Sequence, residues 1–307
     1  MSVFETLQKD FPVRNTPQQK QAFRDWVLDM AEKAGKQARV EELDGHANIL
    51  IGDPERAELL FTAHYDTPKS SLFPNLMLPC SPALGMTYAI GTVILLLVIP
   101  ALAAAWGVFR LVPLDYSRIQ NRFLPLLAFY VVYMGLFLLL FKGRINPHNA
   151  NDNTSGTAVV LELMNALPDS TRAALILFDD EEKGKKGSAA FAKAHERIKR
   201  ELPVINFDCV GSGDHFVFIK NKTFTLPDAS LKDAFGALPN ARFVSGPRAK
   251  SNSDQLNFDQ GFAVVACSRT KQGLLYTSRI HTPRDTEVNE RNLILLRDAA
   301  LRLSNGK

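Results

Sequence analysis

Two long stretches of this chain carry no charge, and they constrain its fold more than any other feature. From Ser70 to Phe109 there is no Asp, Glu, Lys or Arg, and within that stretch Ala83 to Phe109 forms an almost wholly apolar run of 27 residues. A second uncharged run, Phe123 to Phe141, has 19 residues. A helix needs about 20 residues to cross a hydrocarbon layer about 30 Å thick, so both runs are of spanning length. Neither has the polar stripe of a helix that lies on a protein surface. A polar link with Arg110, Asp115, Arg118 and Arg122 joins them, and Lys142 and Arg144 close the unit. Pro100 predicts a kink in the first run, which a membrane helix tolerates. Tyr88, Trp106, Tyr116 and Tyr130 include candidate anchors at a lipid–water interface. The pattern predicts an inserted α-helical hairpin over 83–142 in contact with membrane lipid. The alternatives are a soluble apolar lid and a dimerisation surface.

The rest of the chain reads as an α/β protein. Thr16-Pro17 is a helix start, with Thr as cap and Pro in the first turn, and Gly35 is its stop. Segments 37–42, 47–52 and Leu59–Ala63 read as strands. After the hairpin, 155–167 reads as a helix, 173–178 as a strand buried on both faces, 187–200 as a helix and 204–207 as a strand. Further strands are expected at 215–219 and 262–267, with a closing helix over 292–303. Strands alternating with helices predict a mostly parallel central sheet flanked by helices. The α/β domain is then discontinuous, 1–82 and 143–307, interrupted by the hairpin.

The net charge is +4 and the Lys and Arg residues are scattered, so no nucleic-acid partner is expected. Cys80, Cys209 and Cys267 have no metal-ligand spacing and read as free thiols of a reducing compartment. The N-terminus lacks a basic segment followed by an apolar one, so no secretory signal is expected. Arg110, Arg118 and Arg122 in the link nearly balance Lys69, Lys142 and Arg144 at the other end. With a folded segment ahead of the first span, the expectation is a membrane-associated protein whose α/β domain faces the cytoplasm. Oligomeric state is not indicated.

The residues that carry chemistry are His64, Asp66, Asp152, Glu181, Glu182, Asp208 and His281. Several fall where a predicted strand ends, the place at which open α/β sheets build their sites. Singly they are weak signals. His-x-Asp is common by chance, paired glutamates often start solvated helices, and Asp-Asn-x-Ser-Gly suits a helix cap. Together, imidazoles and carboxylates without a thiolate form a donor set that zinc accepts. Asp179-Asp180-Glu181-Glu182 crowds four acids after a buried strand, a repulsive arrangement unless cations neutralise it.

These stretches resemble the cocatalytic two-zinc exopeptidases, the family of bacterial leucyl aminopeptidases, aminopeptidase Y and glutamate carboxypeptidase. The matching motifs are Thr62-Ala63-His64-Tyr65-Asp66, Asn151-Asp152-Asn153-Thr154-Ser155-Gly156, and Phe178-Asp179-Asp180-Glu181-Glu182 with Gly187-Ser188. Two more are Ile205-Asn206-Phe207-Asp208-Cys209-Val210-Gly211 and Ile280-His281-Thr282-Pro283-Arg284-Asp285-Thr286. Asp44-Gly45 leading to Asn48, and Ser253-Asp254 leading to Phe258 and Gly261, match more weakly. The five main motifs occur in the family's order, and the resemblance covers about 1–80 and 145–307. The resemblance implies a zinc-exopeptidase (phosphorylase/hydrolase-like) fold and two zinc ions bridged by Asp152. His64 and Asp208 would complete one ion, and Glu182 and His281 the other. Glu181 would be the general base, and Asp66 would orient the His64 imidazole. The implied activity is removal of N-terminal residues from peptide or aminoacyl substrates.

Three positions depart from the family pattern. Asn151 stands where a second acid is common, Lys183-Gly184-Lys185-Lys186 is unusually basic, and Gln255 replaces a commoner His. The basic run is either solvated or suited to an acidic substrate. His46, His148, His195 and His215 are assigned to no metal, although His148 is near enough to Asp152 in sequence to line a cleft. Glutaminyl cyclase, a single-zinc acyltransferase on the same fold, is the alternative activity. A non-catalytic binding protein is a third reading.

Overall fold

The computed structural model describes residues 1–73, 75–113, 115–168, 171–246 and 249–306. Helices α1 (Val3–Asp10) and α2 (Pro17–Lys33) open the chain, each with a capping box, Ser2 with Glu5 and Thr16 with Gln19. Strands β1 (Ala38–Leu43), β2 (His46–Ile51) and β3 (Leu59–His64) follow. Two-residue ladders β4 (Lys69–Ser70) and β5 (Leu76–Met77) lead to the hairpin: α3 (Pro82–Val93), α4 (Ile99–Leu111) and α5 (Ile119–Phe141). Beyond it come β6 (Arg144–Ile145), α6 (Gly156–Ala166), β7 (Ala173–Phe178), α7 (Lys186–Ala194), α8 (Glu196–Glu201), β8 (Val204–Phe207) and β9 (His215–Lys220). The chain finishes with α9 (Asp228–Phe235), β10 (Arg242–Ser245), β11 (Gly261–Arg269), β12 (Leu275–Ser278) and α10 (Glu290–Asn305).

The main sheet runs β1-β2-β7-β3-β8-β11-β12-β5, with β9 paired to β11 and β10 to β9. Its four central strands, β7-β3-β8-β11, are mutually parallel; β2, β9 and β12 join them antiparallel, and β10 runs parallel to β9. The sheet is therefore mixed around a parallel centre. Turn chemistry explains one flank. Asp44 and Gly45 both have positive φ, 51° and 82°, which makes the tight turn between β1 and β2 and forces that pair antiparallel.

The central strands are buried on both faces, and period-2 alternation sorts their side chains. Phe61, Ala63, Leu175, Leu177, Ile205 and Phe207 join the core under α1, α2, α6 and α10. Leu60, Ala174, Ile176, Phe178 and Val204 join the core under α7 and α8, with Phe191, Ile198 and Phe258. The helix expected over 187–200 breaks at His195, where φ is −116°. That imidazole lies between Glu55 (2.6 Å) and Glu41 (3.0 Å) and stacks on Phe191.

The hairpin helices pack on each other and expose nearly everything else. Leu97 and Ala101 are the buried residues of the first, and α5 has none. Ile94–Val98 forms one wide turn in which the Ile99 N–H reaches Ile94 O. It directly precedes Pro100, which has no N–H to donate, so the predicted disturbance takes the form of a widened turn. The Thr87 and Thr92 hydroxyls donate to Ala83 O and Tyr88 O within their own helix. The neck is clamped by the β4–β6 ladder, by the Leu72 and Phe73 N–H groups on Leu140 O, and by Phe73 stacked on Phe141 at 4.6 Å. Gly143 is required there, since a Cβ on it would sit 2.6 Å from Lys69 Cβ.

Candidate metal centre

Register brings the strand ends level. His64, the last residue of β3, lies opposite Phe178, the last of β7, and Thr62 lies opposite Asn206 of β8. Asp208 and the 179–182 acids therefore emerge beside His64. The segment before α6 supplies Asp152, and the loop after β12 supplies His281. His64 Nε2 is 3.5 Å from Asp152 Oδ1 and 3.7 Å from Asp208 Oδ1. His281 Nε2 is 3.0 Å from Asp152 Oδ2 and 3.6 Å from Glu182 Oε2. Each Asp152 oxygen thus faces a different imidazole. Ligand atoms of His64, Asp152 and Asp208 lie within 4.8 Å of one another. The same spacing holds for Asp152, Glu182 and His281, and for His64, Glu181 and Glu182. All six metal and base residues named from the sequence come together.

Buried polarity here fits a cation. Glu182 Oε1 and Asp208 Oδ1 are buried without a hydrogen-bond partner, a costly state unless something positive meets them. Burial, reinforced by the carboxylates of Asp254, Asp208 and Asp66, pushes the Glu181 carboxyl up to about 9, against the pull of His64. Burial and the neighbouring Asp152 likewise push Glu182 well up. Burial would lower His64, yet Asp152, Asp208 and Asp66 outweigh it and hold the imidazole well above its ordinary value. Asp152 stays below the ordinary carboxylate range despite its burial, because His281 and His64 face it. A pocket of mutually repelling carboxyls faced by two imidazoles is the electrostatic profile that divalent cations complete.

The positioning residues were only partly legible. Asp66 carries more than the expected contact to His64. Its Oδ1 lies 3.4 Å from His64 Nδ1, and its own carbonyl oxygen is nearer at 3.1 Å. The carboxylate accepts the N–H groups of Glu181 (3.0 Å) and Glu182 (3.1 Å), fixing the backbone of the glutamate pair. Asp285, late in the last motif, does the same for the Asn151 (2.9 Å) and Asp152 (3.0 Å) N–H groups. Asn151 is a strut: its Oδ1 accepts from Gly211 N (2.8 Å) and Ser212 N (3.1 Å). Arg14, fully buried, donates to Tyr65 O, Phe11 O and Thr154 Oγ1, tying the N-terminal segment to two site loops. No local motif marked it.

The acids at 179–182 are not a single group needing exogenous cations. Buried Lys20 on α2 pairs with Asp179 (2.5 Å) and with Asp180, and Lys183 (2.9 Å) and His46 (2.8 Å) also meet Asp180. Protein cations neutralise that half, leaving Glu181 and Glu182 to face the cleft. His148 is exposed and does not line that cleft. Cys209 and Cys267 are buried free thiols, and Cys80 is half-buried. The cleft encloses ≈ 640 Å³. Asp152, Glu181, Glu182, Asp208 and His281 line one side, and Met77, Leu78, Pro79 and the hairpin residues Pro82, Gly85 and Met86 line another.

A mixed α/β sheet with carboxylates and imidazoles gathered at its parallel strand ends defines a metal-dependent hydrolase. Residues 141–301 match the sequence profile of Peptidase family M28, a family of zinc-dependent peptidases, and the chain belongs to it. His64 and Asp66 lie outside the matched span and are joined to it by the β3–β7 register. The fold is shared with a zinc-dependent exopeptidase of Parabacteroides distasonis at TM-score 0.60 and 17% identity, over 99% of this chain and 97% of that one. It is similar to Porphyromonas gingivalis glutaminyl cyclase at TM-score 0.60 and 15% identity, over 99% and 97%. It is also similar to the Legionella pneumophila LapA aminopeptidase at TM-score 0.57 and 13% identity, over 98% and 69%. No curated protein sequence matches the chain.

Proposed function

We propose that the chain is a two-zinc aminopeptidase that removes N-terminal residues from peptides. The observation that carries this reading is the position of Asp152, common to two three-residue donor groups, His64–Asp152–Asp208 and Asp152–Glu182–His281. Asp152 would be shared between the ions, with His64 and Asp208 on one and Glu182 and His281 on the other. When bound, zinc would polarise the scissile carbonyl and bring the pKa of water near 7, from about 15.7 in bulk. Glu181, needed by neither group, is the base that takes the proton from the attacking water and returns it to the leaving amine. Asp66 holds the Glu181 and Glu182 backbone, so the base and the ligand beside it keep their separate directions.

Metal content and turnover of an aminoacyl-amide panel test this reading. The expected result is near two ions per chain and hydrolysis abolished by a chelator and restored by zinc. Near one ion per chain with cyclisation of N-terminal glutamine would favour glutaminyl cyclase. Full activity after exhaustive chelation refutes the metal role.

We further infer that 83–142 is a two-span membrane anchor interrupting a catalytic domain made of 1–82 and 143–307. Supporting it are helices Pro82–Leu111 and Ile119–Phe141, of spanning length, each holding an 18-residue stretch of mean hydropathy 2.4, of which 11% and 0% is buried. Exposed Trp106 (63%), Phe123 (58%) and Val131 (62%) would be costly in water. The flanking charges nearly balance, so the cytoplasmic side for the catalytic domain rests on the folded segment ahead of the first span. Partition of the protein into the aqueous phase as a monomer, without detergent, would refute the anchor.

A further inference from the structure

The cleft that holds Asp152, Glu182 and His281 is also lined by Lys185, Lys250 and Asn252. Their placement is what the metal site alone does not explain. Four lining residues are acids that the metal and base roles consume; the two lysines have no such use. Lys185 Nζ donates to Asn252 Oδ1 at 3.2 Å, and among the described residues neither Lys185 nor Lys250 is paired with a carboxylate. Lys183, two residues earlier, behaves differently and closes on Asp180 at 2.9 Å.

The backbone at Lys185 adds a second observation. Its φ is 59° and its ψ 37°, the left-handed region that Gly or Asn occupies at lower cost. Its N–H donates to Glu181 O at 2.7 Å, so the strained residue is fixed one turn beyond the base. Folding alone would favour a smaller residue here. The strained position thus holds a long cationic side chain on the wall of the cleft.

We propose that Lys185 and Lys250 bind a carboxylate of the substrate, so that the enzyme selects substrates that are anionic near the scissile bond. This rests on the aminopeptidase reading of the cleft. The carboxylate has two possible sources, the free C-terminus of a dipeptide or an acidic side chain. Both present two oxygens that two ammonium groups can share, and Asn252 Oδ1 holds the Lys185 ammonium at 3.2 Å.

The test uses the full-length, zinc-loaded protein in detergent. One arm compares kcat/KM for Leu-Gly and its C-terminal amide; the other compares the Glu and Leu p-nitroanilides. The expected preference for the carboxylate is about tenfold in one arm, the scale of a hydrogen-bonded charge pair, and that arm identifies the source. In Lys185→Asn and Lys250→Gln the preference falls towards unity, while melting temperature and metal content stay at wild-type values. Asn suits the left-handed position, so Lys185→Asn keeps the turn. Equal rates in both arms, or a preference that survives both substitutions, overturn the proposal. If no substrate is turned over, the aminopeptidase reading falls by itself, and calorimetry decides the lysines. Leu-Gly with its peptide bond reduced to CH2–NH must then bind about tenfold more tightly than its amide and lose that margin in both variants. Equal binding overturns the proposal.

Discussion

Glu181→Gln and Glu182→Gln, made side by side, separate two neighbouring residues with different work. Both substitutions keep side-chain size, and both leave the backbone N–H groups on Asp66 at 3.0 and 3.1 Å, so the loop does not move for trivial reasons. The amide introduced by Glu181→Gln cannot accept a proton. Turnover should fall by about 10²–10⁴-fold, or about 3–5 kcal/mol on the barrier, with zinc content unchanged. Glu182 offers one of three donors in the group with Asp152 and His281, and its other oxygen is buried and unpartnered. Losing it should bring zinc content down towards one ion per chain. It should also erode metal-dependent stability. A ligand at a hundredfold over its Kd adds about 2.7 kcal/mol, and each tenfold loss of affinity removes about 1.4. The metal-free proteins should differ in the other sense. Glu182, held well above its ordinary pKa by burial and Asp152, is a poor occupant of that pocket without a cation. Metal-free Glu182→Gln should therefore melt no lower than metal-free wild type at neutral pH, and only the zinc-induced rise in Tm should shrink. The assays are metal analysis, melting with and without zinc, and rate. Loss of zinc in Glu181→Gln together with retention in Glu182→Gln would mean exchanged roles. Near-normal turnover in both would refute the site.

Asp66→Asn places an NH2 where one of two peptide N–H groups needs an acceptor; we expect a loss of about 1–3 kcal/mol in urea denaturation and about 10–100-fold weaker zinc binding. Unchanged values for both would remove Asp66 from the site. Lys20→Met leaves buried Asp179 without a cation and Asp180 with only Lys183 and His46, and should cost about 3–5 kcal/mol at neutral pH. Asp180 is held below the ordinary carboxylate range: burial opposes this, and Lys20, Lys183 and His46 outweigh it. Its stabilising contribution is therefore present above the unfolded carboxylate pKa of about 4 and is lost as pH falls further. The gap between wild type and Lys20→Met should narrow in acid; a gap constant from neutral pH into acid contradicts the pairing. Replacing 83–142 by a short loop should release a protein soluble without detergent that still binds zinc, because every proposed ligand lies outside the hairpin. Loss of zinc on deletion would show that the hairpin supports the centre.

What the sequence made legible was local. Strand 173–178, apolar on both faces, and the ends of β3 and β8 are readable from neighbours in the chain, and the proposed ligands sit where those strands stop. The hairpin announces itself by the absence of charge. Contacts made across the fold left no local trace. Nothing near Lys20 says that it will meet Asp179 and Asp180, so four adjacent acids looked like one cation site when two were already neutralised. Arg14 sits in an unremarkable segment yet bonds to Tyr65 and Thr154. The antiparallel flanks were missed because a period-2 pattern does not encode strand direction; only the Asp44-Gly45 turn does, and only for β1 and β2. His195 belonged to a helical pattern, and nothing local announced the break there or the two distant glutamates that its ring meets.

The shared wall between cleft and hairpin has a geometric consequence. Pro82, Gly85 and Met86 fall within the first turns of α3, and a helix advances only about 1.5 Å per residue. If α3 enters a bilayer, the cleft stands within a helical turn or two of the lipid headgroups, and the clamped neck limits how far it can tilt away. Peptides would then be met by lateral diffusion in a thin layer rather than from the bulk. A substrate whose apolar tail rests in the bilayer would reach the cleft at a surface concentration far above its concentration in solution. Turnover would accordingly scale with the substrate's density in the membrane, and diluting the same lipid-bound substrate with additional empty lipid would slow an enzyme whose solution conditions had not changed.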